Sequence, residues 1–304
     1  MKFGVNILNF GPGVSPEKLA AWARFAEAAG FDSIWISDHI AITPYVGERY
    51  PEPFYDPFTS LAWLASQTKT VQLGTTVIVL PYRNPALMAR MVANLDNLSG
   101  GRFVFGAGVG ASQDEFVALG VPWEKRGAIA TDYLRAMLAL WSSESEVTYQ
   151  GRYVKFDKLS PIRSQQTPHP PVWVGGSSEA SIRRAVRYGD AWHPFVRDMK
   201  QLKETGAPQL ASIAAAEGKP APAFCPRIRI DVRDAKVEGD RMPGVGNLDQ
   251  VRADLLDLQK LGAEHIVLDW NTGDLEKTRA HDHGFAMLAM LAEKAFDLQR
   301  GELR

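Results

Sequence analysis

Cysteine is almost absent from this 304-residue chain, which holds Cys225 alone. That excludes an internal disulfide framework and any zinc site built on cysteines. No run approaches the ~18 apolar residues that a membrane span requires. The first residues, MKFGVNILNFGPG, carry too short an apolar stretch and no small-residue cleavage pattern for a secretory signal. Neither sign of charge dominates: 34 Lys and Arg against 35 Asp and Glu leave a net charge of −1. Basic residues are spread along the chain, so no nucleic-acid surface and no polybasic membrane patch is expected. Low-complexity segments and Gly/Ser-rich linkers are also missing. With 45% apolar and 23% charged residues, the composition fits one cytoplasmic globular protein with a small-molecule partner.

What the chain does have is alternation. Short runs rich in Val, Ile and Phe are expected as strands at Phe3–Leu8, Ile34–Ser37, Gln72–Val79, Phe103–Gly106, Val172–Val174, Ala191–His193, Arg227–Val232 and Ile266–Asp269. Amphipathic stretches lie between them near Pro16–Ala29, Pro57–Gln67, Pro85–Leu98, Arg126–Trp141, Glu179–Tyr188, Arg197–Ala216, Leu248–Leu261 and Gly284–Leu298. In the first of these Ser15 can cap, Pro16 suits the first helical position, and Leu19, Trp22, Phe25 and Ala26 form one apolar stripe. Eight strand–helix units predict parallel strands with right-handed crossovers, closed as an α/β (β/α)8 barrel; an open doubly wound sheet is the alternative. Ala41–Tyr55 and Glu144–Pro171 break the rhythm as insertions after strand 2 and before strand 5, the second containing the hairpin-like VTYQGRYVKF. Residues 1–304 read as a single domain.

In such a barrel chemistry sits where strands end and the next loops begin. Those ends offer Asn6 to Asn9, Asp38-His39, Thr75-Thr76-Val77, Gly106 to Gly110, Gly175-Gly176-Ser177-Ser178, Trp192-His193, Asp231 and Asp269-Trp270-Asn271. An imidazole beside a carboxylate, His39 after Asp38, can serve as acid or base near neutral pH, or can simply pack in the barrel mouth. Gly106, Gly108 and Gly110 do not make the dinucleotide-binding turn, since the third glycine falls one position early; they form either a tight turn or a loop that lets backbone approach a flat or anionic ligand. VWVGGSSEASIRRA runs from a strand through two glycines and two serines into a helix, which suits a phosphate, although Ser177 or Ser178 also suits a plain helix cap. No metal site is expected: strand 1 offers Asn6 and Asn9 where a barrel metallohydrolase places histidines, and His281-Asp282-His283 reads as a solvated turn. No G-x-S-x-G elbow is present. A phosphate cradle, glycine loops, one histidine, and Trp35, Trp192 and Trp270 near the rim together suggest a bound flat cofactor.

Four blocks carry a resemblance: GFDSIWISDHI; YDPFTSLAWLASQTKTVQLGTTVIVLPYRNPALMARMVANLDNLSGGRFVFGAGVG; EFVALGVPWEKRG; and PHPPVWVGGSSEASIRRAVRYGDAWHPF. In that order they resemble the luciferase-like monooxygenases, and within them the F420-dependent oxidoreductases of actinobacterial type. The resemblance implies a barrel that binds coenzyme F420, or FMN as the alternative. It places Asp38 and His39 beside the ring, with His39 as the proton-transfer residue. Thr76-Val77 falls at a strand-3 bulge where the family often has a non-prolyl cis peptide, Gly108, Val109 and Gly110 lie along the cofactor with Asp114 near them, and Gly175 to Ser178 form the phosphate-side loop. Asn6, His193 and Trp270 would shape the substrate pocket, Arg183 or Arg184 would help a groove for the longer F420 tail, and a homodimer is implied. With F420 the implied reaction is hydride transfer; with FMN it is O2-dependent monooxygenation; a binding protein without turnover is the third reading. The sugar-phosphate dehydrogenase branch has a Trp and a Glu at positions matching Thr43 and Ala111 here, so a sugar phosphate is not the expected substrate.

Overall fold

Three helices begin alike: Ser15, Asp56 and Asn84 each cap with their side chains, and Pro16, Pro57 and Pro85 occupy the first helical position. In the computed structural model, which describes residues 1–274, 276 and 279–304, these open α1 (Pro16–Ala29), α2 (Pro57–Gln67) and α3 (Pro85–Ser99). The major helices that follow are α4 (Arg126–Ser142), α5 (Glu179–Tyr188), α6 (Ala207–Ala216), α7 (Leu248–Lys260) and α8 (His281–Lys294). None of the helices described is long and apolar enough to cross a membrane.

The barrel strands are β1 (Lys2–Asn6), β2 (Ser33–Ile36), β3 (Gln72–Thr75), β4 (Phe103–Gly108), β5 (Val172–Gly175), β6 (Ala191–His193 and Phe195–Val196), β7 (Ala223–Phe224 and Arg227–Arg229) and β8 (His265–Asp269). Each is parallel to its neighbours, in the order β8-β1-β2-β3-β4-β5-β6. Pro194 and Pro226 lack an N–H and interrupt β6 and β7, yet the two strands still pair on both sides of the breaks, Ala191 with Ala223 and Phe195 with Arg227. Since β7 also pairs with β8, the ring closes. The parallel (β/α)8 barrel read from the alternation is the observed fold.

Alternation along the strands fills two compartments. On β8, Ile266 and Leu268 face the helices, while Val267 joins Trp35, Val104, Trp173, Ala191 and Cys225 inside the barrel. Trp35 spans the interior and stacks on Trp173 at 4.5 Å between ring centres. Only glycine fits on the strands beside it: a Cβ on Gly74 would stand 2.2 Å from its ring and one on Gly4 2.5 Å away.

Several expectations shift. The third strand does not run unbroken to Val79. It stops at Thr75, passes a cis Thr76–Val77 peptide, and resumes at Ile78–Val79 against Ala107 and Gly108. The stretch after strand 6 holds a π-turn at Leu202–Gly206 before α6. The last helix covers His281–Lys294, not Gly284–Leu298, and Phe296–Asp297 then pairs with Glu302–Leu303. His281 is no solvated turn residue: it is 2% exposed and accepts the Trp22 indole N–H at 2.9 Å. The hairpin before β5 forms as expected, from Val147–Gln150 and Lys155–Leu159.

Candidate functional site

The C-terminal strand ends surround two adjoining cavities of about 380 and 280 Å3. Both are lined by Thr76, Val77, Gly175, Gly176 and Arg227, so they form one groove across the barrel mouth. His39 and Tyr50 stand at one end, Ser177, Phe195 and Arg197 at the other.

His39 is held by a partner that the strand-end census missed. Its Nδ1 lies 2.8 Å from Oε2 of Glu115, a residue with no exposed surface. Oε2 also accepts the Tyr82 hydroxyl at 3.0 Å, and Oε1 accepts the N–H groups of Ile40 (2.6 Å) and Ala41 (3.1 Å). Burial pushes this carboxyl upward, but His39 and the two N–H groups outweigh burial and hold it below the usual range. Glu115 therefore stays ionised, and Nδ1 of His39 carries a proton toward it. That leaves Nε2, unbonded among the described residues, for exchange in the groove. Tyr50 from the post-β2 insertion covers the imidazole at 4.5 Å between ring centres. Glu115 escaped notice because QDEF offers two adjacent acids, and only its placement in the short helix Gln113–Ala118 turns Glu115 inward.

Asp114 turns the other way. It accepts from Ser112 (2.6 Å) and from Thr43, fastening the post-β2 insertion to the segment after β4, and it does not line the groove. Asp38 does line it, but its carboxylate is taken: both arms of Arg83 reach it at 2.7 and 2.8 Å, and Oδ2 accepts the Val79 N–H at 2.9 Å. Asp38 thus fixes the backbone leading into His39 and the bulge at Val77.

Val77 projects from that bulge between two strands that leave it room. A Cβ on Gly108 would lie 2.5 Å from Val77 Cγ2, and one on Gly175 2.9 Å from Cγ1. Behind it the chain Arg227 Nη1 to Thr76 Oγ1 (3.2 Å), Thr76 Oγ1 to His193 Nε2 (2.9 Å) and His193 Nδ1 to Cys225 O (2.5 Å) is complete. Burial pushes His193 down to about 4, so its neutral ring donates to the carbonyl and accepts from Thr76. His193 lines the groove without a nitrogen free for substrate.

At the far end Gly176 takes φ +106, a left-handed conformation natural to glycine, and its carbonyl accepts the Trp192 indole N–H at 2.8 Å. Ser178 caps α5 by accepting the Ser181 N–H at 3.3 Å. The N–H groups of Ser177 and Ser178 have no acceptor among the described residues, and Arg197, stacked over Phe195 at 5.2 Å, makes no ion pair among them. Open N–H groups at a helix start with an uncompensated guanidinium suit a phosphate. Of the two readings of GGSS, the helix cap is seen at Ser178.

Other expected residues lie elsewhere. Asn6, fully buried, donates to Asp269 Oδ1 at 2.8 Å beneath the mouth. Trp270 follows the inward Asp269 and so points outward, stacked on Trp22 at 5.1 Å; it forms no part of the substrate pocket. For the same alternation Trp35 sits inside the barrel and Trp192 outside it, so no tryptophan rim exists. Arg183 is engaged by Glu179 and Glu217, and Arg184 reaches Thr131 and the Gly127 carbonyl, which leaves neither for a cofactor tail. Arg227 was not anticipated: it lines both cavities and is held by Asp269 at 2.6 Å.

The model of the luciferase-like monooxygenases matches residues 1–236. The chain belongs to that family. An uncharacterised protein of Mycobacterium tuberculosis is 33% identical over 245 residues, 73% of this chain and 86% of the relative. An F420-dependent glucose-6-phosphate dehydrogenase of Kineococcus radiotolerans is 33% identical over 210 residues; this covers 67% of the chain but only 60% of that enzyme. Among solved structures, an F420-dependent secondary alcohol dehydrogenase in complex with an F420–acetone adduct superposes with a TM-score of 0.77 at 18% identity, covering 95% of this chain and 98% of that one, and so has the same fold. In this luciferase-like barrel the groove is lined by the apolar side chains of Val77, Val79 and Val109 toward one end and by Ser177 and Arg197 at the other, a surface and a cradle of the kind a planar ring bearing a phosphate requires. The residues present fit such a group.

Proposed function

We propose that this protein is an oxidoreductase that holds coenzyme F420 along the groove and exchanges a hydride with a small organic substrate. A bound deazaflavin supplies the two-electron chemistry. The chain supplies the rest. Ser177, Ser178 and Arg197 hold the phosphate, Val77 backs the ring between Gly108 and Gly175, and Tyr50 shields the reacting end from water. His39 moves the accompanying proton at Nε2 while Glu115 fixes the ring through Nδ1. The observation that carries this reading is the pairing of the buried Glu115 with the groove-lining His39, 2.8 Å apart, across one groove from the open N–H groups at Ser177. The F420-dependent relatives support the choice of cofactor. Homodimer assembly through barrel helices belongs to the same proposal, supported by Trp63 on α2 and Leu87 on α3, large apolar side chains left exposed.

The test is a titration of the purified protein with F420 and, separately, FMN, followed by cofactor fluorescence. Micromolar or tighter F420 binding with FMN much weaker is the expected outcome. The reverse preference makes the protein a flavin monooxygenase, to be assayed by O2 uptake. His39→Ala is then expected to keep F420 affinity and lose about 10²–10⁴-fold in turnover. Bound cofactor that no substrate reoxidises would leave a binding protein without turnover.

A further inference from the structure

Three carboxylates at the barrel mouth are spent. Asp38 is closed by both arms of Arg83, and Glu115 by His39, Tyr82 and two backbone N–H groups. Asp269 accepts from Arg227 at 3.0 and 2.6 Å, from Asn6 at 2.8 Å and from the Asn271 N–H at 3.1 Å. On the β7–β8 side of this rim one cation has no counterpart among the described residues. Arg229 lies two residues beyond Arg227 on β7, and Ile228 and Ile230, both fully buried, face the outer core, so Arg229 shares the inward face with Arg227. Its register partner is Asp269, already occupied. The Nε of Arg229 is buried without a hydrogen bond, and the side chain makes no ion pair among the described residues. Gly273, in the loop after β8, leans over it, with a Cβ position 3.7 Å from Nη2.

We infer that the substrate carries an oxyanion and that Arg229 holds it, an inference that rests on the placement of the reaction in this groove. A partly buried guanidinium without a partner is costly, and its planar fork matches a carboxylate, sulfonate or phosphate ester at two points. Arg197, the other uncompensated cation, stands at the cradle end and answers the cofactor phosphate. Arg229 stands on the β7–β8 side, on the inward face two residues beyond the groove-lining Arg227. The group it binds is a handle that orients the reacting carbon and takes no part in the chemistry.

The test uses benzoate as the probe and benzamide as its neutral isostere, titrated by calorimetry onto the F420-loaded protein and onto the protein without cofactor. The wild type is expected to bind benzoate at least about tenfold more tightly than benzamide. Arg229→Met removes that difference, and Arg229→Lys, which keeps the charge but not the fork, restores part of it. Parallel titrations with benzenesulfonate and phenyl phosphate distinguish the oxyanions, and preference for any of them over benzamide that depends on Arg229 supports the inference. Equal benzoate affinity in wild type and Arg229→Met overturns it, as does benzamide binding as tightly as benzoate. Failure of F420 to bind, with Arg229-dependent benzoate binding intact, sinks the cofactor reading and leaves this one standing.

Discussion

Glu115 has no contact with solvent and still stays ionised, because four donors surround its two oxygens. It acts on the groove through His39, which makes it a positioning residue. Replacement by Gln keeps the size and removes the charge that fixes Nδ1. Glu115→Gln is expected to lower kcat by about a hundredfold, within the range ascribed to positioned acid–base groups, while F420 affinity changes less than about threefold. Steady-state kinetics beside a cofactor titration read the two separately; a matching fall in affinity would mean that Glu115 only supports the fold. Asp38 presents the opposite case. Its carboxylate and the Arg83 guanidinium are both nearly buried, at 0% and 9% side-chain exposure. Asp38→Asn leaves that guanidinium with the half-exposed Asp56 alone, 2.9 Å away, and is expected to cost about 1–3 kcal/mol in urea unfolding.

Among the elements, the segment joining β3 to Ile78–Val79 shapes the groove most directly. Val77 occupies space that glycine at 108 and 175 concedes, and neither neighbour can gain a methyl without moving it. Gly108→Ala is expected to destabilise by about 1–3 kcal/mol through overpacking. Val77→Ala in the same chain should relieve part of that loss, so the double-mutant cycle has a favourable coupling. Additive costs would show that the two side chains do not compete for the same volume. The post-β2 insertion is fastened by Thr43 to Asp114 and by the Ile40 and Ala41 N–H groups to Glu115. One short helix, Gln113–Ala118, thereby orients the imidazole and anchors its cover.

At the scale of the whole molecule, three histidines are sealed into the interior. Burial pushes His193 and His281 down from 6.5 to about 4, and His265 to about 3. Unfolded, each binds a proton near pH 6.5; folded, it does not until the lower value. The unfolded state therefore holds more protons in the window between, and stability is full above about pH 6.5 and drains as pH falls toward 4. Thermal melting is expected to show a steep loss of melting temperature over that window. His281→Gln, which removes one such group, should flatten the slope, and an unchanged slope would contradict the assignment.

The chain by itself determined the strands, the major helices and the barrel, because caps, prolines and apolar period act over a few residues. Pro16, Pro57 and Pro85 open helices where the pattern places them, and GFDSIWISDHI marks the second strand end with its histidine. Only the tertiary structure decided which groups meet there. His39 and Glu115 are separated by 76 residues, Asp38 and Arg83 by 45, and Arg227 and Asp269 by 42. A residue's own neighbours in sequence also cannot tell inward from outward at a strand end. One step along β8 separates Asp269, inside the mouth, from Trp270, packed on Trp22 behind it, since successive side chains leave a strand on opposite faces and closure of the barrel chooses between them.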